Sequence, residues 1–315
     1  MVLRSWVAAT AVVALGWGQA VAQPVLQASA TLSGLGYQVT DLTPSDGVDA
    51  FVRLEAPASG PVPYTTHFSF GRYASDSGFL EHVESVPASL FSGAAPVTVT
   101  QPGAVGSVSG SGQSLTVAHD LADVRAFLGS VAIGSVDMPL VQTAASLSPL
   151  DSYRFVIGAH SSVTFSGWAD PISTIAHESA LNTPEMQRLL QAGHVVAMRA
   201  FTLVDMYFDD AQAPCCVDQP LAQASQELSI LIDPVTGVSA EFSGDAAGPL
   251  SLTFSNDTDQ EVTRRFSLRT IAAVTMNILP IPVPEPGTWA LMGLGLFMVG
   301  LATRQQRRNS LSRSA

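Results

Sequence analysis

The chain contains no lysine: all 14 of its cations are arginines, set against 26 acidic residues. Charged residues fill 13% of the 315 positions, about half of the roughly 25% usual for a soluble protein. Without lysine there is no Walker-type phosphate loop, whose mechanism needs a Gly-Lys pair. Cysteine is nearly as scarce. Cys215 and Cys216 are the only two, and they are neighbours. Two cysteines cannot build a multi-bridge disulfide framework or a four-cysteine zinc site. The six histidines (His67, His82, His119, His160, His177 and His194) show neither His-Glu-x-x-His nor His-x-His spacing, which excludes a helix-borne zinc protease site. The glycine-rich run from Gly103 to Gly112 puts Val108 where a serine-hydrolase elbow needs its nucleophile. Aromatic residues are few, and Trp168 is the one tryptophan between residues 23 and 282.

The charge that is present is unevenly spread. Residues 23–282 hold nine arginines against 25 acidic residues, a net −16. So acidic a stretch excludes a nucleic-acid partner, which would need a basic stripe. Hydrophobic residues make up 47% of the chain, too many for a disordered one.

The bulk of the sequence alternates with period two. Ala28–Asp41, Tyr64–Phe70, Pro96–Gln101, Ser114–Val117, Tyr153–Ile157 and Ser162–Ser166 read as strands. So do Glu227–Ile232, Val238–Phe242, Leu250–Phe254 and Val262–Thr275. Gly, Ser, Asp, Asn and Pro clusters separate them, as turn chemistry requires. Many short strands with such turns predict a mostly β, antiparallel sandwich-like ectodomain over residues 23–279. Two short helices are expected. One runs from Asp120 to Leu128, with Asp120 as cap; the other runs from Thr183 to Ala192, with Pro184 in the first turn. Val195–Met206 reads as a further strand, and 147–151 is a possible seam.

Both ends have a different character. Arg4, the small and apolar run from Val7 to Leu15, and Ala20-Val21-Ala22 form the three regions of a signal peptide in order. Residues 1–22 are expected to be removed, with Ala20 and Ala22 as the small residues that a signal peptidase accepts and Gln23 as the new N-terminus. At the other end, Pro280, Pro282, Pro284 and Pro286 stiffen a linker over 280–287. An apolar stretch of 16 residues follows, from Thr288 to Thr303, expected to form a transmembrane sorting helix, and then the cations Arg304, Arg307 and Arg308. Such a stretch is short for a permanent membrane span but adequate for a temporary one. Its arginines, within residues 304–315, should stay in the cytoplasm and leave the preceding domain outside.

Pro284-Glu285-Pro286, the apolar run and Arg307-Arg308, in that order, resemble the PEP-CTERM sorting signal of Gram-negative bacteria. The resemblance covers about 30 residues; Asn309–Ala315 continue past the arginines, where the family's tails often stop. It implies recognition of Pro284, Glu285 and Pro286 by an exosortase, removal of the tail, and passage to the cell surface or the extracellular matrix. It also implies an association with exopolysaccharide and biofilm.

Two local features invite chemistry. Asp41, Asp46 and Asp49, around Gly47, offer hard oxygen ligands on a turn and form the candidate calcium set, although their spacing is not that of an EF-hand. Cys215 and Cys216 leave three states open: a strained disulfide between neighbours, bonds to another chain, or unpaired thiols in a structural loop. The expectation is therefore a non-catalytic surface or matrix component. The alternatives are a secreted polysaccharide hydrolase, marked by two carboxylates facing across a cleft, and a calcium-dependent adhesin.

Overall fold

A computed structural model describes residues 24–55, 65–74, 78–87, 90–91, 95–133, 138–149, 153–209 and 221–279. The strands in chain order are β1 (Leu26–Asp41), β2 (Val52–Leu54), β3 (Thr65–Ala74), β4 (Gly78–Pro87), β5 (Val97–Gln101), β6 (Ala104–Ser109), β7 (Gly112–His119), β8 (Leu140–Pro149), β9 (Tyr153–Ile157) and β10 (Ser161–Ile175). They continue with β11 (Val195–Asp209), β12 (Leu221–Asp233), β13 (Gly237–Gly244), β14 (Gly248–Asn256) and β15 (Val262–Leu279). The helices are α1 (Leu121–Ser130), α2 (His177–Leu181) and α3 (Pro184–Gln191).

All strand pairs are antiparallel, and they form two sheets. One runs β14-β10-β1-β7-β6-β5. The other runs β13-β12-β11-β15-β8-β3-β4, with β9 and β2 extending the same β15 edge beyond β8. The sheets lie face to face in matching order: β10 against β11 and β12, β1 against β11 and β15, and β7 against β15 and β8. This is the expected sandwich. Period-two alternation is its cause, because each strand commits one face to the space between the sheets. Leu26, Ala28, Ala30 and Leu32 of β1 meet Val196, Met198, Ala200 and Val204 of β11 in one continuous core. A bulge at Ser33–Gly36 then shifts the phase of β1, so that Leu35 becomes the buried residue. Gly34 takes a φ of +63° there, which costs glycine nothing.

One end of the core is aromatic. Phe165 of β10 stacks on Phe266 of β15 at 4.1 Å between ring centroids and 16° between planes, joining the two sheets. Phe155 of β9 and Phe208 of β11 meet Phe165 edge-on at 4.9 and 5.7 Å. Polar groups also cross between the sheets. The Gln113 side chain of β7 donates to the Thr270 hydroxyl of β15, and the Ser173 hydroxyl of β10 donates to the Gln226 carbonyl of β12.

The helices close another side. Asp120 caps α1 by accepting the Asp123 N–H at 2.9 Å, and Thr183 caps α3 by accepting the Met186 N–H at 3.3 Å. Arg188 of α3 donates to the carbonyls of Leu128 and Val131 at the end of α1. Both expected helices are present, and Val195–Met206 lies within β11. The short α2 falls outside the helical expectations, as do β2, β4, β6 and β8 outside the strand expectations. In β6 the reason is Gly106, which looks like loop chemistry. A Cβ there would come within 2.9 Å of the buried Phe68 ring, so the glycine is a notch that admits that side chain. The expected seam at 147–151 begins inside β8, which sits between β15 and β3. Residues 1–23, 210–220 and 280–315 lie outside the described residues. The signal peptide with Ala20 and Ala22, Cys215 and Cys216, the linker, the sorting helix and the arginine tail fall there.

Two outcomes follow from the core. Replacing Phe165 by Ala removes the ring that joins the sheets and should cost about 4 kcal/mol, read from urea unfolding. His119, at the end of β7, is 5% exposed, with Nε2 3.0 Å from the Thr143 hydroxyl and Nδ1 3.5 Å from the Asp123 carboxylate. Burial holds its pKa below the ordinary 6.5, against the pull of Asp123. Its contribution to stability is therefore present above pH 6.5 and lost as pH falls through the depressed value. Thermal melts between about pH 5 and pH 8 should show wild type losing ground to His119→Gln on acidification.

Candidate functional site

The calcium set spans the end of β1 and the loop after it, and two of its carboxylates are engaged in the turn. Asp41 accepts the Thr43 N–H at 2.8 Å, while Asp46 accepts the Thr43 hydroxyl at 2.6 Å and the Val48 N–H at 2.8 Å. Those two donors hold the Asp46 carboxyl below the ordinary carboxylate range. Asp49 lies on the irregular backbone before β2. Among the described residues no three His, Cys, Asp or Glu side chains are grouped to hold a metal ion. The histidines are dispersed: His82 lies near Glu84, His160 pairs with Asp259 at 2.7 Å, and His177 lies near Glu178.

The outer face of the six-stranded sheet is a carpet of paired hydroxyls. Ser29 and Thr116, Ser107 and Ser114, and Thr164 and Thr253 are 2.8–2.9 Å apart across neighbouring strands. Trp168 stands on this face, 51% exposed, opposite Ser33 and Pro249.

The outer face of the larger sheet carries the concave site. Inward positions of β11 and β12 fill the core, so the intervening ones point out. The register sets these in rows across four strands. One row is Asn277, Ala197, Leu231 and Ser239; the next is Thr275, Arg199, Ser229 and Glu241. Ala197 and Ser229 are short and sit among longer neighbours, which leaves a pocket of about 360 Å³. That volume lies in the lower part of the range for small-molecule sites, which starts at about 300 Å³.

The electrostatics of the pocket are specific. Arg199 is bound twice by Glu227, Nε to Oε1 at 2.7 Å and Nη2 to Oε2 at 2.8 Å, and its guanidinium lies 5.7 Å from the Phe201 ring centroid. The guanidinium holds the Glu227 carboxyl below its ordinary range. Asn277, on the pocket wall, has its Oδ1 buried with no hydrogen-bond partner among the described residues. Such an orphan acceptor costs about 1–3 kcal/mol. None of Arg199, Glu241 and Asn277 stands out in the sequence. Their strands alternate legibly, but the neighbourhood of β11 and β15 is set by a long crossover that no local signal reveals.

The class of the molecule is therefore a two-sheet antiparallel sandwich with a concave pocket on one outer face. Its tail supplies a more particular assignment. Residues 282–308 match the PEP-CTERM protein-sorting motif. The match takes in Pro284, Glu285, Pro286, Arg304, Arg307 and Arg308. A tail of this kind belongs to an exported protein that carries a C-terminal membrane-anchoring sorting signal and is processed by an exosortase. No curated protein and no solved structure matches the chain. Among the described residues no helix is long and apolar enough to cross a membrane, and Thr288–Thr303 lie outside them.

Further along the face that bears the pocket, Arg269 Nε donates to Asp205 Oδ2 at 3.0 Å. Asp205 is 3% exposed and Arg269 44%. Burial pushes the Asp205 carboxyl above its ordinary 3.8 despite the attraction of Arg269. Asp205 thus favours the fold most below pH 3.8 and loses that advantage as pH rises through the raised value. Thermal melts should show Asp205→Asn gaining on wild type between about pH 3 and pH 7. Arg269→Met, which strands the carboxylate, should lose about 2 kcal/mol at neutral pH, less than for a fully buried pair because Arg269 is half exposed.

Proposed function

We propose that the protein is a non-catalytic structural or binding component of the cell surface or the exopolysaccharide matrix. It leaves the cytoplasm through a signal peptide over residues 1–22, cleaved by signal peptidase after Ala22. It then rests in the inner membrane by its C-terminal tail until an exosortase removes that tail. The observation that carries this reading is the sorting motif at 282–308, which lies directly beyond the last strand of the sandwich.

The chemistry of the pocket favours binding over hydrolysis. A glycosidase needs a carboxylic acid kept protonated by a raised pKa. Glu227, beside the pocket, is held in the opposite direction by Arg199. The hydroxyl-rich outer face of the smaller sheet suits a protein surrounded by hydrated polymer.

Intact mass of the protein from cell envelope and from culture medium, with and without the exosortase gene, tests the reading. The expected product starts at Gln23 and has lost the residues beyond Pro284-Glu285-Pro286 only when the enzyme is present. A tail retained through Ala315 in both strains refutes it.

A further inference from the structure

We propose that the pocket between β15, β11, β12 and β13 binds a neutral, hydroxyl-rich saccharide segment, held at Asn277, Glu241 and Leu231. This rests on the matrix reading above and specifies the chemistry of the ligand. Shape comes first. Ala197 and Ser229 form the floor, Leu231 supplies an apolar wall, and Thr275, Ser239 and Asn277 supply neutral polar groups around it. An apolar wall beside hydroxyl and amide groups is what a pyranose ring needs, because the ring has an apolar face and a polar edge.

Charge narrows the class. An acidic sugar or a phosphate needs an available cation. Among the described residues the one cation lining the pocket, Arg199, is already doubly bound by Glu227. Glu241 adds a negative charge on the rim, and residues 23–282 as a whole carry a net −16. A polyanion is repelled, whereas a neutral polyol is not. Hydrogen bonding agrees with this. Asn277 Oδ1 is an acceptor without a donor among the described residues, and Glu241 is an acceptor by nature. A sugar hydroxyl donates to either. The Asn277 amide needs only to turn about χ2, a broad torsion, to present that oxygen to the pocket.

Trp168 is the competing place for a sugar, since an exposed aromatic ring also stacks on pyranoses. It stands on the outer face of the other sheet, away from the residues that line this pocket. It therefore serves as the control.

The test uses the full-length protein and four defined probes: cellotetraose, laminaritetraose, maltotetraose and, as the acidic comparison, tetragalacturonate. Calorimetric titration should show at least one neutral tetrasaccharide binding, with tetragalacturonate weaker. Asn277→Ala and Glu241→Gln should each weaken that binding about tenfold, while Trp168→Ala leaves it unchanged. Glu241 lies on an edge strand exposed along its whole length, so its variant keeps the test valid if Asn277→Ala perturbs the fold. Binding by none of the neutral probes overturns the proposal. So does binding that survives both pocket variants, binding abolished by Trp168→Ala, or preference for tetragalacturonate. None of these results bears on tail removal, which the mass measurement reads separately.

Discussion

The stack of Phe165 on Phe266 is the interaction that the rest of the sandwich depends on. Two antiparallel sheets each have a buried face, but nothing in alternation alone fixes how one sheet sits on the other. Phe165 and Phe266 are each the fifth residue of their strands, β10 and β15, so their 4.1 Å stack fixes that relation at one point. Phe155, Phe208, Tyr37 and Phe91 surround the pair edge-on or tilted, within 6 Å of Phe165. Edge-to-face contacts are directional and add about 0.5–1.5 kcal/mol each beyond area burial. The aliphatic remainder of the core, rich in Val, Leu and Ala, adapts to that registration. The inter-sheet hydrogen bonds from Gln113 and Ser173 extend it along the sandwich.

Much of this architecture is legible in the sequence, and the exceptions have physical reasons. The first half of β1 and the second half of β15 are legible because alternate residues turn inward and are mostly apolar (Leu26, Ala28, Ala30 and Leu32; Ala272, Val274, Met276 and Ile278), while the residues between them include Gln27, Ser29 and Thr31, and Thr275 and Asn277. α1 and α3 announce themselves through Asp120 and the Thr183-Pro184 pair, whose side-chain oxygens do cap the first turns. β6 hides because Gly106 serves packing, which resembles turn chemistry when read locally beside the true turn glycine Gly103. β8 hides because its inward residues include Thr143 and Ala145, small groups acceptable only in the middle of a sheet where β15 and β3 supply the surroundings.

The candidate site was less legible than the fold. Residue type pointed to Asp41, Asp46 and Asp49, but two of those carboxylates serve the turn's own amides and hydroxyl. Residues that line a pocket on a sheet face need not be near in sequence. Ala197 and Leu231 meet through a hairpin, yet Asn277 reaches them from β15, some 80 residues along the chain from Ala197. Local alternation tells which residues point outward and is silent about which strands stand side by side.

The pocket also has a cause in the topology. The larger sheet is wider than the smaller, so β13 overhangs it and is exposed on both faces. No opposing layer dictates its side chains, and Ser239 and Glu241 are free to serve the outer surface. The same sheet sends β15 out of the sandwich at Leu279, three residues before the sorting motif begins. Asn277 therefore belongs both to the pocket wall and to the last turn of ladder before the tail. A saccharide bound there would lie beside the last residues of β15, because Asn277 stands two positions before the strand ends at Leu279.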